Sequence, residues 1–393
     1  MRHRFLSQIG AYLCLFIFVV NPLQAAKLFD KSAKKQLTAY LDESCQWILT
    51  ENPGVDKEKG NKSIDGHLAV QGMLARMLLA GYELTKDNAR YRDYALEWGD
   101  RFIRAQEVVK SSQGNEAGFW KEPAGSWEVD LASSSAAAVA LARLVEYADG
   151  ARKKSYQSAL ERYARFLLEG VTPQPGEGLV AVDTWISSDA SSGKALRRGI
   201  TGGKASQEPS TLATAASSSF WSHLYRLSGN KEYRELASGG VRWIFGTRKG
   251  MGDIPQLENG DENGGWPVAT FSYCSEAFLA GFYLLDDASL AQSILQDSEP
   301  TVRWLLRIQD DRGVFGEGPD HYRSPAAANY LAWYYLNSKS DESIPQSLDK
   351  FFRILLNPVH SQSFGVQMQA STTAWVGLCL AEMIKPGITF KKN

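Results

Sequence analysis

Ala132-Ser-Ser-Ser-Ala-Ala-Ala-Val-Ala-Leu-Ala-Arg-Leu144 is followed, after a short turn, by Arg152-Lys-Lys-Ser-Tyr-Gln-Ser-Ala-Leu-Glu-Arg-Tyr-Ala-Arg-Phe-Leu-Leu168. The first stretch is small and weakly polar all round, the composition of a helix enclosed by neighbours on every side. The second has one apolar face, Tyr156, Leu160, Tyr163 and Leu167, with its charges mostly elsewhere, so it covers a core on one side only.

This alternation runs outward in both directions. Small or strongly apolar segments begin near His67, Leu131, Thr211, Phe271, Ser324 and Ala370. Charged amphipathic segments begin near Ser32, Asn88, Arg152, Lys231, Ser289 and Glu342. The last inner-type segment is left to pair with the first outer-type one, as a closed ring requires and a linear solenoid does not. No convincing alternating strand pattern interrupts the series. The expectation is an all-α (α/α)6 barrel of six inner and six outer helices, with residues 27–393 as one domain. Pro300 falls in the fifth outer segment and is expected to split or restart it, with Glu299 as N-cap.

The turns repeat as well. Tyr82-Glu-Leu-Thr-Lys-Asp-Asn-Ala-Arg-Tyr91 compares with Tyr225-Arg-Leu-Ser-Gly-Asn-Lys-Glu-Tyr233, and 147–156 is a looser copy. Asp87 and Asn230 are natural N-caps, and the tyrosine after each opens an outer apolar stripe. Long loops, 107–130, 170–210, 247–270, 310–323 and 358–369, all fall on the opposite rim. Gly-aromatic pieces follow outer helices: Gly118-Phe-Trp120, Gly264-Gly-Trp-Pro267 and Gln309-Asp-Asp-Arg-Gly-Val-Phe-Gly316. With these features the chain resembles the α/α toroid superfamily of six-hairpin glycosidases, polysaccharide lyases and terpenoid cyclases. The Asp-x-Asp-Asp motif of the cyclases is absent, so the resemblance implies carbohydrate chemistry.

Arg2 and Arg4, the apolar run from Ile9 to Val20, Asn21-Pro22 and the small Ala25 and Ala26 have the layout of a secretory signal peptide over residues 1–26. The run is shorter than the roughly 20 residues a membrane span needs. A secreted or periplasmic protein without membrane attachment is expected. Losing the two arginines moves the net charge from −1 to −3, which gives no reason to expect nucleic acid. Cys45, Cys274 and Cys379 then remain, each in an apolar helical pattern; they are buried thiols, or two of them form one bridge.

Six inner-helix N-termini facing one rim bring N–H donors and positive dipole ends together. The rim loops carry Trp120, Trp127, Trp185, Trp266, Tyr273 and Tyr322, flat rings that can pack on sugar C–H faces or pin the loops to the barrel. Glycoside hydrolysis needs a carboxyl pair. Asp65 and Asp130 stand just before inner helices, and the resemblance to unsaturated uronyl hydrolases implies the catalytic role for them by position alone, without a sequence match; each could equally be an N-cap. Glu317-Gly-Pro-Asp320-His321-Tyr322-Arg323 gathers an acid, an imidazole, a phenol and a guanidinium. There Tyr322 or His321 could remove a proton in β-elimination while Arg323 neutralises a uronate, with Asp320 contacting substrate. Lys194, Arg197, Arg198 and Lys204 could attract an acidic polysaccharide or be a solvated loop. His67 and His360 sit on the rim side, and His223 is expected in the core. The histidines have no metal spacing. Asp261 and Glu262 leave a calcium site open, but no metal or cofactor is assigned. The reading is cleavage of an oligo- or polysaccharide, hydrolysis before elimination, against a non-catalytic glycan-binding protein.

Overall fold

The computed structural model describes residues 30–51, 68–85, 88–121, 129–170, 185–187, 194–197, 199–201, 204–205, 209–246, 267–316, 323–338, 341–357 and 369–391. The leader segment lies outside them. Among the described residues, twelve helices alternate between two layers. In chain order they are α1 (Lys31–Glu51), α2 (Leu68–Thr85), α3 (Ala89–Ala105), α4 (Leu131–Val145), α5 (Gly150–Glu169) and α6 (Thr211–Ser228). Then come α7 (Lys231–Gly246), α8 (Pro267–Leu284), α9 (Ala288–Ile308), α10 (Ser324–Ser338), α11 (Ser343–Leu355) and α12 (Ala370–Ile384).

The even-numbered helices form the inner ring. α2 packs on α4, α4 on α6, α6 on α8, α8 on α10, α10 on α12, and α12 returns to α2. α1 packs against both α12 and α2 and covers the seam. The small residues of the inner helices let their backbones approach: a Cβ on Gly72 of α2 would sit 3.0 Å from the carbonyl oxygen of Ala136 on α4.

Outer helices are tied to one another by the tyrosines that open their stripes. Tyr91 on α3 donates to Asp42 Oδ1 on α1 at 2.6 Å. Tyr156 on α5 donates to Asp100 Oδ1 on α3 at 2.8 Å and to the Leu96 carbonyl at 2.6 Å. Tyr233 on α7 instead stacks on Trp221 of the inner helix α6, with centroids 5.3 Å apart. Asn230 caps α7 through its side chain, accepting from Glu232 N–H; Asp87 lies outside the described residues.

The Gly-aromatic pieces serve the same architecture. Gln106 and Gln309 are the C-cap residues of α3 and α9. Each sends its side-chain amide to a carbonyl of the next outer helix, Gln106 to Ala159 and Gln309 to Ser347, both at 2.9 Å. The chain then doubles back, and a serine of the following inner helix holds the aromatic strand: Ser134 donates to the Trp120 carbonyl, and Ser324 Oγ accepts from Phe315 N–H. Gly313 turns this corner at φ 97° with Lys350 backbone against it, where a Cβ would collide at 2.7 Å.

Two expectations change. The rim carries short antiparallel strands: β1 (Glu107–Lys110) with β2 (Glu116–Phe119), then β3 (Val129–Asp130), β4 (Trp185–Ser187), β5 (Lys194–Arg197), β6 (Gly199–Thr201), β7 (Lys204–Ala205) and β8 (Pro209–Ser210). They are ordered β3-β6-β7 and β4-β5-β8. Strands of two to four residues are too short to carry a period. Also, α9 runs through Pro300 without restarting. The buried stripe Leu290, Ile294, Thr301, Val302 and Leu305 packs as one face, and this outweighs the hydrogen bond that proline removes. Cys45, Cys274 and Cys379 are free and buried, and burial pushes each thiol pKa up.

Candidate active site

The inner ring encloses polar side chains along its axis. Arg76 lies midway along α2 and Glu276 midway along α8, three places around the six-helix ring and therefore opposite each other. Arg76 Nη1 donates to Glu276 Oε1 at 2.8 Å across the barrel. Arg76 is 3% exposed and Glu276 18%, so the carboxylate is the more accessible partner. Around Glu276 an axial cavity is lined by Ser275 of α8, Asn329 of α10, Trp375 of α12 and, from the C-terminal segment, Thr389 and Phe390. The space holds a solvent molecule rather than a sugar ring, and the C-terminal segment is its floor.

That floor is the returning chain after α12. Glu382 accepts from the Gly387 and Thr389 N–H groups and from the Thr389 hydroxyl, at 2.6, 2.8 and 2.6 Å. Arg143 on α4 donates to the Ile388 carbonyl at 3.1 Å. Phe390 fills the middle, 5.8 Å under the Arg76 guanidinium, 5.6 Å from the Tyr283 ring and 6.3 Å from the His223 ring. His223 is buried, as its sequence context predicts. Burial depresses the His223 pKa well below its ordinary value, and the charges of Arg76, Arg143 and Arg226 act the same way. Burial pushes Glu382 up, while its hydrogen bonds and Arg76 pull the other way. One end of the ring is therefore closed by the returning chain.

On that rim Asp130 stands immediately before α4 as expected, and its carboxylate accepts from Ser133 N–H at 2.7 Å as an N-cap. Its backbone pairs with Gly199 of β6, so the segment carrying Lys194 and Arg197 is laid over the starts of α4 and α6, with β5 against α6. Tyr273 and Arg323, read from separate loops, come together: the Arg323 guanidinium lies 5.9 Å over the Tyr273 ring. Trp120 is corrected. It is fully buried, donates its indole N–H to the Phe102 carbonyl at 2.8 Å and packs on Tyr163, leaving no face for a sugar. The backbone of Trp185 pairs with Leu196 in β4–β5. Asp65, Trp127, Trp266, Asp320, His321 and Tyr322 lie outside the described residues, as do Asp261 and Glu262. Among the described residues no three His, Cys, Asp or Glu side chains gather as a metal site.

Loop-directed reading of the sequence passed over Arg76, Arg143, Glu276 and Glu382. Each is a charge inside an otherwise apolar inner helix, a signal that was present.

The chain is an α/α toroid of the six-hairpin glycosidase-like fold. An inactive variant of the α-1,6-mannanase GH76A of Salegentibacter sp. HEL1_6, solved with α-1,6-mannotriose, is similar at 14% identity and TM-score 0.56, over 89% of this chain and 99% of that one. A D-mannose isomerase matches at 13% identity and TM-score 0.57, over 91% and 98%. Cellobiose 2-epimerase from Bacillus thermoamylovorans B4167 matches at 9% identity and TM-score 0.54, over 81% and 87%. No protein-family model and no curated relative matches the sequence.

Proposed function

We propose that this protein is an exported carbohydrate-active enzyme that cleaves an oligo- or polysaccharide by glycoside hydrolysis within the inner ring. The observation that carries the reading is the axial space, where a partly exposed carboxylate, Glu276, stands beside an indole, Trp375, and an amide, Asn329. Trp375, Asn329 and Ser275 line the same small space, and Arg76 orients Glu276 through their ion pair. Hydrolysis needs a second carboxyl, for which Asp65 and Asp130 at the inner-helix entrances are the candidates. The mannanase has two aspartates replaced by asparagine in its inactive form. Asp-Asp pairs in this chain occur at 286–287 and 310–311, where Asp287 caps α9 and Asp310 braces a turn. This chain's carboxyl pair is therefore not one of adjacent aspartates. The leader-like segment before residue 27 supports export. A second reading, β-elimination on a uronate chain, is favoured by Arg323 lying over Tyr273, since a cation and a phenol together suit that chemistry.

The test incubates the purified protein with neutral and uronate-containing polysaccharides, α-mannan oligosaccharides and lyase-generated unsaturated oligomers. New reducing ends without new ultraviolet absorbance support hydrolysis, as does loss of absorbance from unsaturated oligomers. A rise in absorbance replaces hydrolysis with elimination. Conversion of a sugar with no new reducing end makes the protein an isomerase or epimerase instead. Binding without any turnover overturns the enzymatic reading.

A further inference from the structure

Three arginines of the described residues are buried: Arg76, Arg101 and Arg143. Arg76 is neutralised by Glu276, and Arg143 by Glu146. Arg101, near the rim end of α3, has no carboxylate within ion-pairing distance. Its surroundings are aromatic. The guanidinium lies 4.3 Å over the Trp98 ring and 5.9 Å from the Tyr94 ring, and Trp98 packs against Ala75 of α2 apart from the main core. Arg101 is 2% exposed and Trp98 0%. Arg101 Nη1 and Trp98 Nε1 are buried without a hydrogen-bond partner, and the buried Tyr94 hydroxyl lies beside the Arg101 guanidinium. Glu97, one turn back on α3, is exposed, and Arg104 adds a like charge nearby.

Buried charges are normally paired, and buried donors normally bonded. Stacking on an indole stabilises a guanidinium, but its N–H groups lie at the edge and remain unsatisfied. The Trp98 and Tyr94 donors share the cluster, and the carboxylate whose charge reaches Arg101, Glu97, is exposed to solvent. Such a set matches a group that brings negative charge and several acceptor atoms.

We propose that Arg101, stacked on Trp98 beside Tyr94, is a binding site for a small oxyanion, the carboxylate of an acidic sugar or a phosphate group. Planar carboxylates and phosphates both fit the guanidinium fork. The site is separate from the axial space at Glu276 and stands whether or not glycans are hydrolysed there. Burial pushes the Arg101 pKa down from its ordinary value, and a bound anion would oppose that shift.

The test is calorimetric titration and thermal unfolding of the full chain with sodium glucuronate and with inorganic phosphate, against glucose and against sodium chloride at matched ionic strength. Saturable binding of glucuronate or phosphate, with a raised unfolding midpoint, is expected; glucose and chloride should give neither. Glucuronate alone identifies an acidic sugar, phosphate alone a phosphate ester, and either supports the site. Arg101→Met should weaken binding by about 10-fold or more and should unfold no earlier than the unliganded wild type. Arg101→Lys, which keeps the charge and loses the fork, should also bind more weakly and serves if the methionine variant does not fold. No saturable binding of either anion to the wild type, or undiminished binding to these variants, overturns the proposal.

Discussion

Tyr156 shows how much one side chain does in this ring. Its hydroxyl bonds to the Leu96 carbonyl and to Asp100, joining α5 to α3, and Tyr91 repeats the bond between α3 and α1. Tyr156→Phe keeps the ring and removes the bonds, and is expected to cost about 1–2 kcal/mol in chemical denaturation. The turn pattern ending in tyrosine was legible in the sequence; the aspartate it reaches was not, because that partner is set by helix rotation. The site was legible in the same partial way. Arg76 and Glu276 stand out as charges within apolar helices, but their pairing spans 200 residues and follows only from ring closure. Trp120 fails as a sugar platform for a related reason: composition identifies a rim ring but not whether its face is covered.

At the scale of elements, the helices could be read because amphipathic and small-residue periods persist for many turns. The starts expected near Leu131, Thr211, Lys231, Ser324 and Ala370 are those observed. The rim strands could not, since their pairing is fixed by the ends of the helices they connect. Pro300 marks where packing overrides a local rule. Its ring lies within α9 and deprives the Gln296 carbonyl of its helical donor. Pro300→Ala restores that donor without touching the buried stripe. It should stabilise the protein by about 1–3 kcal/mol, measured as a raised denaturant midpoint with an unchanged slope. A loss of stability would mean that the helix needs a bend there.

At the scale of the whole molecule, the ring is sealed at one end by its own C-terminal segment, which buries His223 against Phe390. Because folding depresses the His223 pKa, the unfolded chain takes up a proton near its ordinary value of about 6.5 while the folded one does not. Stability from this group is complete above that pH and is lost as pH falls toward the folded value. The slope is up to about 1.4 kcal/mol per pH unit. Glu382, raised by burial, has the opposite sign: its contribution is present below the ordinary carboxylate range and lost as pH rises. Comparing unfolding free energies of wild type and His223→Phe between pH 5 and 7 isolates the first effect, and the variant should show the flatter profile. Closure itself was legible from the unpaired first and last segments. The plug was not, because Gly387–Phe390 carries no helical period and its contacts come from five inner helices.

The account centres on the axial space at Glu276. The measurement that tests it most directly is turnover of the best glycan substrate by Glu276→Gln beside wild type, with circular dichroism confirming that both are folded. A fall in kcat of about 100-fold or more is predicted, the scale of a lost general acid or base. A folded Glu276→Gln protein that turns over within about twofold of wild type, well short of that scale, would contradict the account and move the chemistry to the rim.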